Sequence, residues 1–214
     1  ASAPAGAVVS KTTLSIIVAV SVCHLINDVM QSLLSAIYPI LKDNYGLDYV
    51  QIGLLTFTFQ VTASLLQPAI GMYTDKRPLP YSLPVGMGSS LIGLIILGFA
   101  NNYPMLLIGS AFVGLGSAIF HPESSRVARL ASGGRHGLAQ SLFQVGGNAG
   151  SAIGPLLAAF IVLPRGQWSV SLFAIGSLVG IVILTRVGKW YSEHRRANAG
   201  RPPASMVLPF DRRT

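Results

Sequence analysis

Only 10% of the 214 residues are charged, 8% are aromatic, and there is a single cysteine. With 51% hydrophobic residues and a mean hydropathy of +0.58, the chain has too little polar surface for a water-soluble globule of this length. Lipid is the solvent that fits. The lone Cys23 excludes an intramolecular disulfide framework and any cysteine-based metal site. Neither the Gly-x-Ser-Gly element of an intramembrane serine protease nor a His-Glu-x-x-His zinc motif occurs, so enzyme chemistry in the bilayer is not expected. No residue pattern points to a metal ion or a cofactor. The first eleven residues lack a basic start, and no small-residue cleavage site follows the first apolar run, so the first apolar segment is expected to stay in the protein. The chain begins without Met, as a trimmed protein or a fragment does.

What is present is a series of long uncharged runs. Between Lys11 and Lys42 the one ionised side chain is Asp28, and no Asp, Glu, Lys or Arg occurs in 49–74, 78–122, 136–164 or 166–185. A helix needs roughly 20 mainly apolar residues to cross the hydrocarbon core. The run 78–122 is too long for one crossing and is broken by Ala100-Asn101-Asn102-Tyr103-Pro104, a turn signal. Six spans follow, at 14–41, 49–73, 82–100, 105–130, 137–163 and 168–188. Flanking them, 1–13 reads as a disordered N-terminus and 189–214 as a basic tail or the start of a central loop.

The basic residues set an orientation. Lys11, Lys76, Arg77, Arg126, Arg129, Arg135, Arg186 and Lys189 fall on one side, with the arginines of the tail, whereas Lys42 and Arg165 fall on the other. By the positive-inside rule both termini are expected in the cytoplasm. The net charge of +8 is therefore a topology signal and not a nucleic-acid footprint, because it sits at helix ends and not on one folded face.

Lipid-facing helices should be apolar all round, so polar residues recurring at helical spacing mark a face turned to protein or to water. The first span carries Ser21, His24, Asn27, Asp28, Gln31, Ser35 and Tyr38; the second carries Thr56, Gln60, Ser64 and Gln67. The third has glycines and small hydroxyls but no Asn, Gln, His or charge, and can face lipid. The pattern then repeats: Ser110, Gly114, Ser117, His121, Ser124 and Ser125 in the fourth span, Gln140, Gln144, Gly147, Asn148 and Ser151 in the fifth, and a sixth as bland as the third. This is a three-plus-three arrangement with spans 1, 2, 4 and 5 inside and 3 and 6 outside, the building unit of transporters with inverted repeats.

Asp28 lies roughly 21 Å into its helix, near mid-membrane, and His24 is one turn away on the same face. An ionisable group there costs roughly 2.5–3.5 kcal/mol on insertion scales. The pair either takes up and releases a proton as a cavity opens to each side, or is a static hydrogen-bonded pair fixing the first span to the fifth. Glu123 is spaced to pair with Arg126 along the fourth span, either as a local ion pair or in gating or substrate contact.

The segment Gly71-Met72-Tyr73-Thr74-Asp75-Lys76-Arg77 resembles the Gly-x-x-x-Asp-Arg/Lys loop of the major facilitator superfamily, although Pro78, Leu79 and Pro80 replace the second glycine and further basic residues. Gly150 to Pro155, with Gly154 between, resembles the fifth-helix motif of the antiporter branch, where glycines allow close packing and proline bends the helix. A longer block, Phe120 to Arg126, Ala131 to Gly137 and Gln140 to Asn148, together with His24-Leu25-Ile26-Asn27-Asp28, closely resembles the fosmidomycin resistance protein family of bacterial drug exporters. That resemblance, from about Leu14 onward, implies the N-terminal half of a twelve-helix fold and proton-driven efflux of a small antibiotic across the inner membrane, with a second six-helix half as partner. Fosmidomycin is an anionic phosphonate, so its site should supply donors and positive charge. His24, His121 and Arg126 are the cations expected there, with Asn27, Gln31, Gln60, Gln144 and Asn148 as neutral partners. Asp28, His24 and Glu123 are the expected proton carriers, and Gly71, Asp75, Lys76 and Arg77 the gating motif. Another small anionic metabolite or drug as substrate, or a non-transporting six-helix unit, remains open.

Overall fold

The computed structural model describes residues 12–198, so nearly all of the expected disordered start and most of the expected tail lie outside the described residues. Among the described residues six helices are long and apolar enough to cross a membrane: α1 (Leu14–Ala36), α2 (Tyr49–Lys76), α3 (Ser82–Phe99), α4 (Tyr103–Ala131), α5 (His136–Arg165) and α6 (Gln167–Ala197). Two ends differ from the sequence expectation. The first span stops at Ala36, because Pro39 lacks the N–H needed to continue the ladder, and a separate short helix, Tyr38–Tyr45, follows the break at Ile37. The last helix continues beyond residue 188 and carries Lys189, Arg195 and Arg196 outward.

Local chemistry sets the helix starts. Asp48 accepts a 2.7 Å hydrogen bond from the Gln51 N–H while Asp48 N–H donates to Gln51 Oε1, a capping box at α2. Asn102 Oδ1 accepts from Met105 N–H and begins α4, with Pro104 in its first turn.

The packing has an internal symmetry. α1 lies along α5 and α4 along α2; α3 packs on α4 and α6 on α1; α1 crosses α4, and α3 meets α6. Exchanging the first three helices for the last three leaves this set of pairs unchanged. Two widened π-turns obey the same exchange, Val61–Leu65 in α2 and Ala158–Val162 in α5. α3 and α6 take no part in the polar centre, yet α3 is far from bare: 44% of its apolar window is buried against 11% for α2. It backs α4, and the faces left open belong to α2 and α5.

The helix ends are tied in two groups. Thr13 N–H donates to Ala131 O, Thr12 Oγ1 to Ser132 O, and Arg195 Nη1 to Pro78 O, so the start of α1, the 132–135 turn, the 77–81 turn and the end of α6 share one end. Opposite them, Tyr45 Oη donates to Ala100 O, and Gln167 Nε2 to Leu97 O.

Candidate functional site

Where α1 crosses α4 beside α5, His24, Asp28 and His121 come together. His24 is buried, and its ring stacks on Phe143 of α5 with centroids 4.0 Å apart. Its Nδ1 lies 2.8 Å from Phe143 O. A carbonyl only accepts, so Nδ1 carries the hydrogen and donates it. Nε2 then points at Asp28 Oδ2, 3.4 Å away, without a hydrogen-bond partner. A bare lone pair facing a carboxylate is repulsive, and a proton on either atom reverses the sign.

Asp28 is held from its other oxygen. Asn27 Nδ2 and Gln31 Nε2 donate to Oδ1 at 3.1 and 3.0 Å. His121 Nε2 stands 3.8 Å from Oδ1 and 3.3 Å from Gln31 Nε2, and Ser117 Oγ donates to Gln31 Oε1 at 3.0 Å. Glycine makes the room: a Cβ at Gly147 would lie 2.6 Å from His24 Nε2 and 2.9 Å from Asp28 Oδ2. Phe143 was not among the residues singled out from the sequence, although it lies inside the long block; an apolar side chain gives no hint that its carbonyl fixes a tautomer.

Asp28 and Gln31 open onto a cavity of about 250 Å³ lined also by Ser32, Tyr38, Thr56 and Gln60. It is smaller than the roughly 300–1,000 Å³ of small-molecule sites. A larger cavity of about 670 Å³ lies between α2, α3 and α4 against Ile70, Tyr73, Val85 and Leu115. Its lining is almost wholly apolar, so it offers no convergent donors. Gln144 and Asn148 are exposed on α5 and bond to each other at 3.2 Å, and neither is among the hydrogen-bond partners of Asp28.

Glu123 and Arg126 belong to a different group. Arg126 Nη1 donates to Glu123 Oε1 at 2.6 Å, and Nη2 pairs with Asp75 Oδ1 and donates to Gly71 O at 3.4 Å. Glu123 is buried and also accepts from Ser82 Oγ at 3.2 Å. The structure thus joins the expected proton carrier Glu123 and the expected substrate cation Arg126 to the Gly71–Asp75 segment, with Arg126 about 7.5 Å along α4 from His121. Arg126 is compensated by two carboxylates. Lys76 and Arg77 sit exposed at the end of α2.

α5 approaches α1 through Gly146, Gly150 and Gly154, four residues apart, where an added Cβ would strike the carbonyls of Ser21, Leu25 and Val29. Pro155 follows in the same helix.

The sequence model of the Major Facilitator Superfamily matches residues 20–210. The chain is 51% identical to the fosmidomycin resistance protein of Escherichia coli (strain K12) over 212 residues, 99% of this chain and 52% of that one. It is 44% identical to YfnC, an uncharacterised MFS-type transporter of Bacillus subtilis (strain 168), over 181 residues, 85% of this chain and 44% of that one. It therefore spans about half the length of these relatives. A crystal structure of the peptide transporter POT matches with a TM-score of 0.66 at 19% identity, over 86% of this chain and 39% of that one. At that identity the likeness concerns the fold.

Proposed function

Because the chain belongs to the Major Facilitator Superfamily, we propose that it forms one wall of the transport path of a proton-coupled exporter of a small antibiotic such as fosmidomycin. In this reading it rocks against a second six-helix half around the polar face of α1, α2, α4 and α5. The protein resides in the bacterial inner membrane with both termini in the cytoplasm.

The observation that carries the reading is the facing of His24 Nε2 and Asp28 Oδ2 at 3.4 Å while Nδ1 is committed to Phe143 O. One proton held between them cancels the repulsion, and Asn27 and Gln31 keep the carboxylate in place. Movement of α5 against α1 alters that contact, so proton release can follow the conformational change. Gln31, Gln60 and His121 supply hydrogen bonds and positive charge to an anionic substrate from the cavity side, with Gln144 and Asn148 adding donors across α5. Arg126, Glu123 and Asp75 act as a latch that ties α2 to α4 at the basic end, in place of a direct part in proton or substrate binding.

The test is drug uptake into inverted vesicles carrying the transport-competent protein. Asp28→Asn should abolish uptake driven by a proton gradient while leaving substrate binding measurable, and normal antiport by this variant would remove Asp28 from the mechanism. A different small anion as substrate is the second reading, because at 51% identity about half of the aligned residues differ from those of the relative. Competition between fosmidomycin and other phosphonates or carboxylates for binding decides between the two.

A further inference from the structure

We propose that His24, Asp28 and His121 form a binding site for a divalent transition-metal ion of the Zn2+ class. Three donor atoms, His24 Nε2, a carboxylate oxygen of Asp28 and His121 Nε2, lie within 4.8 Å of one another. Zinc–nitrogen bonds of about 2.0–2.1 Å place neighbouring ligand atoms of a tetrahedral site roughly 3.3 Å apart. His24 Nε2 lies 3.4 Å from Asp28 Oδ2, which meets that spacing, and His121 Nε2 lies 3.8 Å from the other oxygen, Oδ1, so the carboxylate reaches one imidazole with each oxygen, and His121 has to move in by a few tenths of an ångström or more to close the site.

The independent sign is the orphaned nitrogen. His24 is 3% exposed, and its Nε2 is buried, aimed into the cluster and without a hydrogen-bond partner. Its other nitrogen donates to a backbone carbonyl, as the second nitrogen of metal-ligating histidines nearly always does. The carboxylate is oriented in the same manner by Asn27 and Gln31, and Gln31 in turn by Ser117. Both imidazoles are braced by aromatic contact: His24 stacks on Phe143, and His121 meets His24 edge-on at 5.2 Å. His24 and the carboxylate are therefore oriented before any ion arrives, and His121 Nε2, now 3.3 Å from Gln31 Nε2, exchanges that neighbour for the ion.

Two imidazoles and one carboxylate favour Zn2+, Co2+, Ni2+ or Cu2+ over Mg2+ and Ca2+, which seek oxygen ligands throughout. Three protein ligands leave a further coordination position, the ligand count of exchangeable zinc sites as opposed to closed structural ones. Sequence spacing conceals the set, since His24 and Asp28 are one turn apart on α1 and His121 comes from α4.

The inference stands independently of the transport reading, because it concerns binding to the chain alone. Zn2+ titrated by calorimetry into the purified chain in detergent should fill one saturable site, and Co2+ should give visible ligand-field absorption that Zn2+ abolishes. His24→Gln and His121→Gln should each weaken Zn2+ binding by at least about tenfold, while His136→Gln at the start of α5 leaves it unchanged and Mg2+ does not bind. Zn2+ should also raise the thermal unfolding temperature of the wild-type chain but not that of His121→Gln, whose side chain is 27% exposed and can be replaced without opening the core. No saturable Zn2+ binding by the folded wild-type chain, or equal binding by His121→Gln, would overturn the assignment. Failure here leaves the Asp28 transport test standing, and failure of that test leaves this one.

Discussion

At His24 the two ring nitrogens have different work. Nδ1 is fixed on Phe143 O, and Nε2 meets the carboxylate. This makes the neighbouring glycine critical. Gly147→Ala places a methyl group against both atoms. Overpacking of this kind costs typically about 1–3 kcal/mol, so the variant should unfold at lower denaturant concentration and lose proton-driven uptake; an unaltered unfolding midpoint would show that α5 can retreat freely. Ser117→Ala is expected to be milder. It leaves Gln31 Oε1 without its donor, a loss of about 0.5–1.5 kcal/mol by thermal unfolding, and loosens the side chain that orients Asp28.

Between elements, two kinds of contact hold the bundle. α1 and α5 meet through the Gly146, Gly150 and Gly154 face, where close backbone approach replaces side-chain packing, as is usual in lipid. α2 and α4 also approach closely, at Gly114 against Thr62 and Phe59 O, and are tied besides by the ion pairs at the basic end. The two ion pairs are unequal: Asp75 is 70% exposed, whereas Glu123 is 1% exposed. Exposed pairs contribute about 0–1 kcal/mol, but removing the partner of a buried charge costs about 3–5 kcal/mol. Arg126→Gln should therefore destabilise the protein by several times more than Asp75→Asn does. Unfolding measurements on the two variants and the double variant check this, and near-equal effects would mean that Glu123 finds another partner. Asp75→Asn, stable by this argument, is the cleaner probe of gating, and a change in transport rate without a change in unfolding is its expected signature.

For the whole molecule, the two groups of tied helix ends give the positive-inside argument a structural frame. The basic residues Lys76, Arg77, Arg129, Arg135, Arg195 and Arg196 gather with the 77–81 and 132–135 turns, and Lys42 and Arg165 lie at the opposite end. Asn101→Cys and Arg135→Cys, both at exposed positions, should thus react with a membrane-impermeant maleimide from opposite sides of the membrane, Asn101→Cys from outside the cell and Arg135→Cys from the cytoplasm. The native Cys23 is buried and should stay unlabelled in both. Labelling of both positions from one side would contradict the six-crossing topology, and reversed sides would invert the orientation.

The six helices and their order were legible in the sequence, because crossing a bilayer requires long uncharged runs and nothing else about the chain need be known to find them. The inward polar faces of α1 and α4 were legible for the same reason, since a polar residue in lipid is expensive and its spacing records which way it points, and His24, Asn27, Ser110 and Ser117 are buried, whereas Gln60, Gln144 and Asn148 of α2 and α5 are exposed. Helical periodicity fixed that His24 and Asp28 share a face. It also placed Glu123 within reach of Arg126 along the same helix, as observed, but carried no information on what lies opposite, and that Asp75 and Ser82 join this pair depends on the packing of α4 on α2 and α3. Equally, no local pattern joins His121 to His24, or gives Phe143 O its hold on Nδ1. Those contacts depend on the crossing of α1 over α4 and on glycines that let α5 come close, and such distances between helices are decided by the whole bundle and not by any one segment of chain.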